Sequence, residues 1–135
     1  DAQYRMLRIG LDARVVVDSH VQAISASQTG PDVAVLTISH SGATHETLAA
    51  TRLAKDAGAK TIIVTNFSSS PLQAYADVKL FTMARETKFR TEAMTSRIAQ
   101  LCVIDALIAA LAMRDYDRSA DTLRKTFDVL SIKRF

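Results

Sequence analysis

The sequence predicts an α/β domain in which a parallel sheet lies between two layers of helices, a three-layer sandwich. Short apolar runs rich in β-branched residues recur along the chain. The clearest run, Val33–Ile38, has the length and composition of a strand buried on both faces. Stretches with helical spacing of apolar residues separate these runs. Because each connection contains about ten residues of helix, the strands are expected to pair in parallel through right-handed crossovers.

The composition indicates one soluble globular domain spanning residues 1–135. Hydrophobic residues make up 48% of the chain and charged residues 23%, which is ordinary for such a domain. The net charge of +3 comes from 17 basic residues scattered among 14 acidic ones, without the basic stripe of a DNA-binding surface. The first residues show no signal-peptide pattern, so a cytoplasmic protein is expected. Gln100 and Asp105 interrupt the longest apolar run, and no contact with a membrane is predicted.

The first third of the chain predicts two helices and a strand. A helix already under way at the first residue is expected to end at Gly10. Arg14–Asp18 contains three consecutive valines and predicts a short buried strand. Ser19 opens a second helix that runs to about Gln28, and Gly and Pro then mark a turn before the strand Val33–Ile38.

A loop of small and hydroxyl-bearing residues follows that strand and leads into a helix from Glu46 to a C-cap at Gly58. Such a turn aims backbone N–H groups and the positive end of a helix dipole at one point above the sheet edge. The hydroxyls of Ser39, Ser41 and Thr44 surround that point, which favours phosphate binding. The alternative is that these residues only cap the helix, although one cap needs one oxygen and three are offered.

The rest of the chain predicts two more strands and two long helices. The strands are Lys60–Thr65 and Val78–Met83, and the helices are Glu92–Met113 and a final helix from Asp115 onward. The first of these helices is apolar on nearly every side and must be covered on all sides, so a homodimer interface is expected. The only cysteine of the chain, Cys102, lies in it and is expected to be a buried thiol.

The segment Ile38–Glu46 resembles the S-x-S-G-x-T-x-E signature of sugar isomerase (SIS) domains. Thr61–Asn66 and Ser70–Leu72 look like the next strand and the start of the short helix of that domain. Glu86–Arg90 followed by Ser96–Leu101 is similar to the effector domains of RpiR-like bacterial transcriptional regulators. The resemblance covers nearly the whole chain.

This resemblance implies a Rossmann-like parallel sheet, the SIS fold, in which Ser39, Ser41 and Thr44 hold the phosphate of a phosphosugar. It also implies a first strand with a glycine- and serine-rich loop and an N-terminal helix-turn-helix domain. Neither is recognisable here, so the chain is expected to be incomplete at its N-terminus. DNA would be reached only through that missing domain. The expected partners are a phosphorylated sugar or sugar acid and a second copy of the chain.

Further side chains are candidates for ligand contact, His20 by the same resemblance and the others by their position and charge. His20 follows a predicted strand end in an Asp-x-His pattern similar to that of the family. Glu86 lies in a loop expected to close over the sugar, where it could accept hydrogen bonds from hydroxyls. Arg90 or Arg97 could neutralise the ligand, and the alternative for Arg97 is an ion pair with Asp105 or a partner chain.

Histidines beside the hydroxyl-bearing loop suggest a metal site only weakly. His40 and His45 are five residues apart, a poor spacing for one helix face, and Glu46 brings no evident further ligand. No metal and no cofactor are therefore predicted. His40 lies between the two serines, and its side chain is expected to point away from the ligand.

Two classes of function fit these residues. An effector-sensing domain would bind a phosphosugar and bias the arrangement of its protomers. A sugar-phosphate isomerase would need a general acid and base, for which Glu86 with His20 or His45 could serve. The similarity of residues 86–101 to regulators and the lack of an obvious acid–base pair favour the sensor. A third class is a non-catalytic regulatory subunit of a sugar kinase.

Overall fold

The computed structural model describes residues 1–85, 87 and 94–132. Five α-helices, three strands and one 3₁₀ helix alternate along these residues. In chain order they are α1 Ala2–Arg8, α2 Ser19–Ser27, β1 Ala34–Ile38, α3 His45–Asp56, β2 Lys60–Asn66, the 3₁₀ helix Pro71–Tyr75, β3 Val78–Thr82, α4 Met94–Arg114 and α5 Tyr116–Ser131.

The three strands form one parallel sheet in the order β1-β2-β3. Leu36 of β1 lies opposite Ile62 of β2, and Ile62 lies opposite Val78 of β3. The predicted α/β class with a parallel sheet is confirmed. Because the strands are parallel, the loops that follow β1 and β2 leave the sheet at the same edge.

The predicted strand Arg14–Asp18 is wrong, because residues 11–17 form neither a strand nor a helix. β-branched residues favour an extended backbone, but a strand exists only through hydrogen bonds to a neighbouring strand. None of the described strands pairs with this segment. A side chain takes the place of a neighbouring strand as hydrogen-bond donor: Gln22 Nε2 donates to the carbonyl of Val16 at 2.9 Å. Val17 is 84% exposed.

Local signals place the helix ends close to their predicted positions. The Asp18 carboxylate caps α2 by accepting a hydrogen bond from the Val21 amide at 3.0 Å. Gly58 follows α3 with φ of +95°, a left-handed conformation that glycine adopts without steric cost. Its amide donates to the Lys55 carbonyl at 2.9 Å.

The chain divides into two compact units. One comprises Asp1–Val15 with the residues from Ile104 onward, and the other comprises Val16–Val103 and contains the whole sheet. In the first unit the Arg5 guanidinium pairs with the Asp105 carboxylate, and Arg118 Nη2 donates to the Gly10 carbonyl at 3.2 Å.

The core of the second unit centres on β2 and the helix α3. Ile63 and Val64 in β2 are fully buried. Ala54 packs with Ala26 and Ala59, small side chains that let α2 and α3 approach closely. A buried hydrogen bond of 2.9 Å joins the hydroxyls of Thr37 and Thr51, and so ties α3 to β1. This bond and the alanine contacts hold α3 against β1 and α2.

Helix α4 differs from its prediction in two respects. Cys102 is exposed, so the expected buried thiol is wrong; the buried side chains of this helix are Ser96, Ile104 and Ile108. The helix is also long and apolar enough to cross a membrane by length and composition, with a mean hydropathy of 1.7 over its most apolar stretch, of which 17% is buried. The interruptions at Gln100 and Asp105 therefore do not exclude a membrane span. A large exposed apolar surface of this kind marks a site of contact with another protein or with a membrane.

Asp77 joins the start of β2 to the end of α3. Its carboxylate accepts hydrogen bonds from the Thr61 amide at 2.8 Å and the Thr61 hydroxyl at 3.0 Å, and from Lys55 Nζ at 3.2 Å. The bond from the Thr61 amide, with help from Lys55, lowers the pKa of Asp77 from 3.8 to about 2. The charged form is therefore the one that the fold stabilises.

We expect Asp77→Asn to lower Tm at neutral pH, because the ion pair with Lys55 is lost. A depressed pKa means that the contribution of Asp77 is complete above its ordinary pKa of 3.8 and disappears as the pH falls through about 2. Thermal unfolding of both proteins between pH 7 and pH 2 tests this, and the two Tm curves should converge in acid. Asp121→Asn is the matched control, because Asp121 pairs with Lys125 on an exposed helix turn and should contribute little. A constant Tm difference at all pH values would contradict the expectation.

Candidate functional site

The loop between β1 and α3, residues 39–44, is folded by its own side chains and by β2. The Ser39 amide donates to the Val64 carbonyl at 3.0 Å, which extends the sheet pairing by one residue. The Ser39 hydroxyl, buried with the residue 9% exposed, accepts a hydrogen bond from the Gly42 amide at 3.1 Å. Gly42 has φ of +61°, the left-handed conformation that this tight turn requires. We call residues 39–44 the hydroxyl loop.

The end of β2 and a second loop, residues 67–70 after β2, lie beside the hydroxyl loop. The Asn66 amide and the Thr65 hydroxyl both donate to the His40 carbonyl, at 3.1 and 3.3 Å. The Leu72 amide, in the 3₁₀ helix, donates to the Gly42 carbonyl at 3.1 Å. These bonds attach the hydroxyl loop to the end of β2 and to the 3₁₀ helix, at the carboxyl edge of the sheet, where parallel α/β sheets bind their ligands.

The three predicted phosphate ligands differ in exposure. Ser39 is buried and its hydroxyl accepts a hydrogen bond from the Gly42 amide, which leaves its own O–H free to donate, whereas Ser41 and Thr44 are exposed. The Ser41 hydroxyl accepts from the Ala43 amide at 3.2 Å and can still donate. Thr44 stands at the N-cap position of α3, but its side chain makes no capping hydrogen bond. Simple capping therefore does not account for the hydroxyl of Thr44.

The amino end of α3 gives this edge a positive potential. The first amides of a helix lack partners within it, and the helix dipole adds to their partial charge. Glu46 is the only acidic residue in the first turn of α3. Exposed hydroxyls at such an end can donate to an anion together with the amides.

The remaining predicted ligands are only partly located. His20 is exposed on α2 and lines a cleft of about 470 Å³ together with residues at the start of α3. Arg97 is exposed on α4, and Asp105, its alternative partner, is bonded to Arg5 instead. Glu86 and Arg90 lie outside the described residues. The cleft is lined by Ser19, His20, Ala23, Ile24, His45, Glu46 and Ala49.

Histidines and acidic groups form no metal centre in the described part of the chain, where no three potential ligands cluster. His40 is half-buried, and its Nδ1 atom has no hydrogen-bond partner among the described residues.

Sequence reasoning missed the part played by Ser70. Its hydroxyl lies against Gly42, so close that a Cβ added to Gly42 would be 2.3 Å from Ser70 Oγ. A serine before a proline at a helix start predicts a helix cap. That local prediction gives no indication of a contact with a loop far away in the chain. The φ value of Gly42 could have been anticipated from the turn, but the neighbour that fills the space of its missing side chain could not.

Comparison with known proteins identifies relatives of this arrangement. The SIS domain family model matches residues 2–110. An uncharacterised HTH-type transcriptional regulator of Caldanaerobacter subterraneus is 40% identical over 134 residues, which are 99% of this chain and 48% of the relative. The HTH-type transcriptional regulator RpiR of Escherichia coli K12 is 34% identical over 126 residues, 93% of this chain and 43% of RpiR. The chain thus spans about half the length of the curated relatives it matches.

Solved structures share the fold. The structure of Vibrio vulnificus NanR complexed with ManNAc-6P superposes with a TM-score of 0.90 at 27% identity, covering 98% of this chain and 50% of NanR. A Methanococcus jannaschii protein, for which a 3-hexulose-6-phosphate isomerase function is inferred, superposes with a TM-score of 0.70 at 17% identity, covering 92% of this chain and 66% of that protein. The second likeness shows the fold alone.

Three observations point to the same family: the hydroxyl loop at the carboxyl edge of a parallel sheet, the family match over most of the chain, and the relatives named as regulators. This chain belongs to the SIS domain family and is homologous to the SIS domains of RpiR-type HTH transcriptional regulators.

Proposed function

We propose that this chain is the phosphosugar-binding effector domain of a bacterial transcriptional regulator of sugar metabolism. The observation that carries the proposal is the hydroxyl loop, in which Ser41 and Thr44 expose hydroxyls beside the amino end of α3. A phosphate dianion accepts several hydrogen bonds at once, so it suits a site that combines hydroxyls with free helix amides. Homology to regulators, and the ManNAc-6P complex of NanR, support a phosphosugar as the effector.

The sugar itself would extend from the phosphate toward His20. The cleft lined by His20 and Glu46 adjoins the start of α3, and both side chains can bond sugar hydroxyls. Glu86 and Arg97 complete the proposed ligand set, the first as an acceptor for hydroxyls and the second as a cation that balances the phosphate.

We place the chain within a single SIS domain of a cytoplasmic protein that reaches DNA through an N-terminal helix-turn-helix domain. Homodimer formation would cover the exposed apolar side of α4. Met94, Ile98 and Leu101 lie at helical spacing and are 42, 58 and 49% exposed. A second copy offers the same stripe and makes a self-complementary contact.

A sugar-phosphate isomerase is the second candidate, and one observation favours it. The cleft holds His20, His45 and Glu46 together, a set able to donate and accept protons. The isomerase function inferred for the Methanococcus jannaschii protein also fits this fold. The relatives named as regulators favour the sensor.

A screen of phosphorylated sugars and sugar acids by thermal unfolding tests the proposal. A ligand at about 100 times its Kd should stabilise the fold by about 2.7 kcal/mol, and the same sugar without its phosphate should produce no rise in Tm. NMR spectra of the active compound after incubation then separate the two candidates. An unchanged compound indicates a sensor, and a new aldose or ketose isomer indicates an enzyme. If no phosphosugar raises Tm, the phosphate-binding proposal is wrong.

A further inference from the structure

The second loop presses on the hydroxyl loop at one point, where Ser70 meets Gly42. A Cβ added to Gly42 would lie 2.3 Å from Ser70 Oγ, 2.7 Å from Ser70 Cβ and 3.0 Å from Thr65 Oγ1. Heavy atoms do not approach so closely without displacement. Gly42 therefore has two constraints, its left-handed φ and the side chain of Ser70, and the second is not a property of the turn.

The hydroxyl of Ser70 has no other evident use in the described residues. Ser70 stands at the N-cap position of the 3₁₀ helix, yet its side chain makes no capping bond. Its Oγ atom is buried and has no hydrogen-bond partner among the described residues. A buried, unpaired hydroxyl is unfavourable, so a side chain kept there is expected to act through its position.

Hydrogen bonds from both polar backbone groups of Gly42 hold this residue in place beside Ser70. The Leu72 amide bonds the Gly42 carbonyl, and the Gly42 amide bonds the Ser39 hydroxyl, at 3.1 Å each. Gly42 is thus held from both of its polar groups while Ser70 closes the space beside its Cα. A shift of Gly42 would move its own amide and that of Ala43, which lie between Ser41 and Thr44 in the chain.

We infer that Ser70 is a positioning residue for the hydroxyl loop: its side chain sets the position of Gly42 and thereby the affinity for phosphate. This inference rests on the proposed function for its ligand, and on the contact with Gly42 for its geometry. It extends the binding machinery to one residue of the second loop, which supplies no predicted ligand. A change in the second loop, which follows β2, would then change phosphate binding at the hydroxyl loop, which follows β1.

A compensating pair of substitutions tests the inference. Gly42→Ala should weaken phosphosugar binding by about ten-fold or more, because the new Cβ overlaps Ser70 and displaces the loop. Adding Ser70→Gly removes both clashing atoms of Ser70 and should recover part of the lost affinity, since the left-handed φ of residue 42 and the contact with Thr65 Oγ1 remain. Adding Ser70→Ala should recover little, since the Cβ at 2.7 Å remains. Isothermal titration with the phosphosugar found in the screen measures each Kd.

Ser69→Gly is the matched control for backbone flexibility. It places the same extra freedom one residue earlier, in an exposed position of the same loop, so it should not rescue Gly42→Ala. Equal rescue by Ser69→Gly, or unchanged affinity in Gly42→Ala, would overturn the inference. If Gly42→Ala does not fold, the single variants decide: Ser70→Gly should weaken binding and Ser69→Gly should not.

A readout without ligand separates this inference from the proposed function. In ¹H–¹⁵N spectra of the unliganded protein, Gly42→Ala should shift the amide signals of Ser41 and Ala43. Adding Ser70→Gly to that variant should move these signals back toward their wild-type positions. If these signals respond as stated while no phosphosugar binds, the proposed function fails and the positioning role stands. If phosphosugar binds but the signals and Kd ignore Ser70, the positioning role fails alone.

Discussion

Replacing Ser41 by alanine and Thr44 by valine together is expected to abolish the phosphosugar-dependent rise in Tm. Each lost hydrogen bond to a charged phosphate should cost about 1.5–3 kcal/mol of binding free energy, so the pair should weaken binding by roughly two to four orders of magnitude. Both side chains are exposed, and Thr44 makes no capping bond. The free energy of unfolding of the unliganded double variant should therefore lie within about 1 kcal/mol of the wild-type value. Titration calorimetry and thermal unfolding of the same samples provide both values.

Two controls give this experiment its meaning. Ser68→Ala removes an exposed hydroxyl from the second loop and should change neither value. Ser39→Ala should lower the stability of the unliganded protein by about 1–2 kcal/mol as well as the affinity, because the buried Gly42 amide loses its acceptor. A double variant at positions 41 and 44 that still binds phosphosugar normally would mean that the hydroxyls serve only the local fold.

The variant Ile98→Asp/Leu101→Asp is expected to convert the proposed homodimer into a monomer. Burying each of these side chains is worth about 1.5–3 kcal/mol, and a buried unpaired carboxylate costs more than that gain. Both residues lie on the exposed apolar stripe of α4, so the fold of the monomer should survive. Sedimentation velocity over a range of protein concentrations measures the change.

The control for this variant is Val21→Asp, which places the same charge on an exposed apolar position of α2, 48% exposed. It should leave the oligomeric state unchanged. A wild-type protein that stays monomeric at high concentration would refute the dimer. A requirement for detergent, relieved by the two aspartates, would instead identify a membrane as the cover of α4, consistent with its length and hydropathy.

Predictions that depend on neighbouring residues agree well with the structure. The strand β1 and the glycines expected after α1 and α3, Gly10 and Gly58, follow from a β-branched run and from turn chemistry. Each of these signals acts within a few residues, so the sequence contains all of the interaction. The same locality explains why the residues of the hydroxyl loop suffice to recognise it.

Predictions that depend on distant partners fail or are absent. The run Arg14–Asp18 has the composition of a strand, but strand formation depends on a neighbour that composition does not report. Cys102 lies on an apolar helix, and its exposure depends on which side of the helix other elements cover. Asp77 and Thr61 are 16 residues apart, and nothing in either local sequence indicates their bond.

Periodicity and turn chemistry are short-range properties, and they were enough to predict the α/β class, the parallel strands and the loop whose hydroxyls stand at the start of α3. Tertiary contacts were needed to show that Ser39 is buried while Ser41 and Thr44 are exposed, and that Ser70 fills the space beside Gly42. Exposure and close contact of this kind arise only when residues far apart in the chain meet. The proposed binding chemistry therefore lies in one loop, and we infer that its geometry depends on a second.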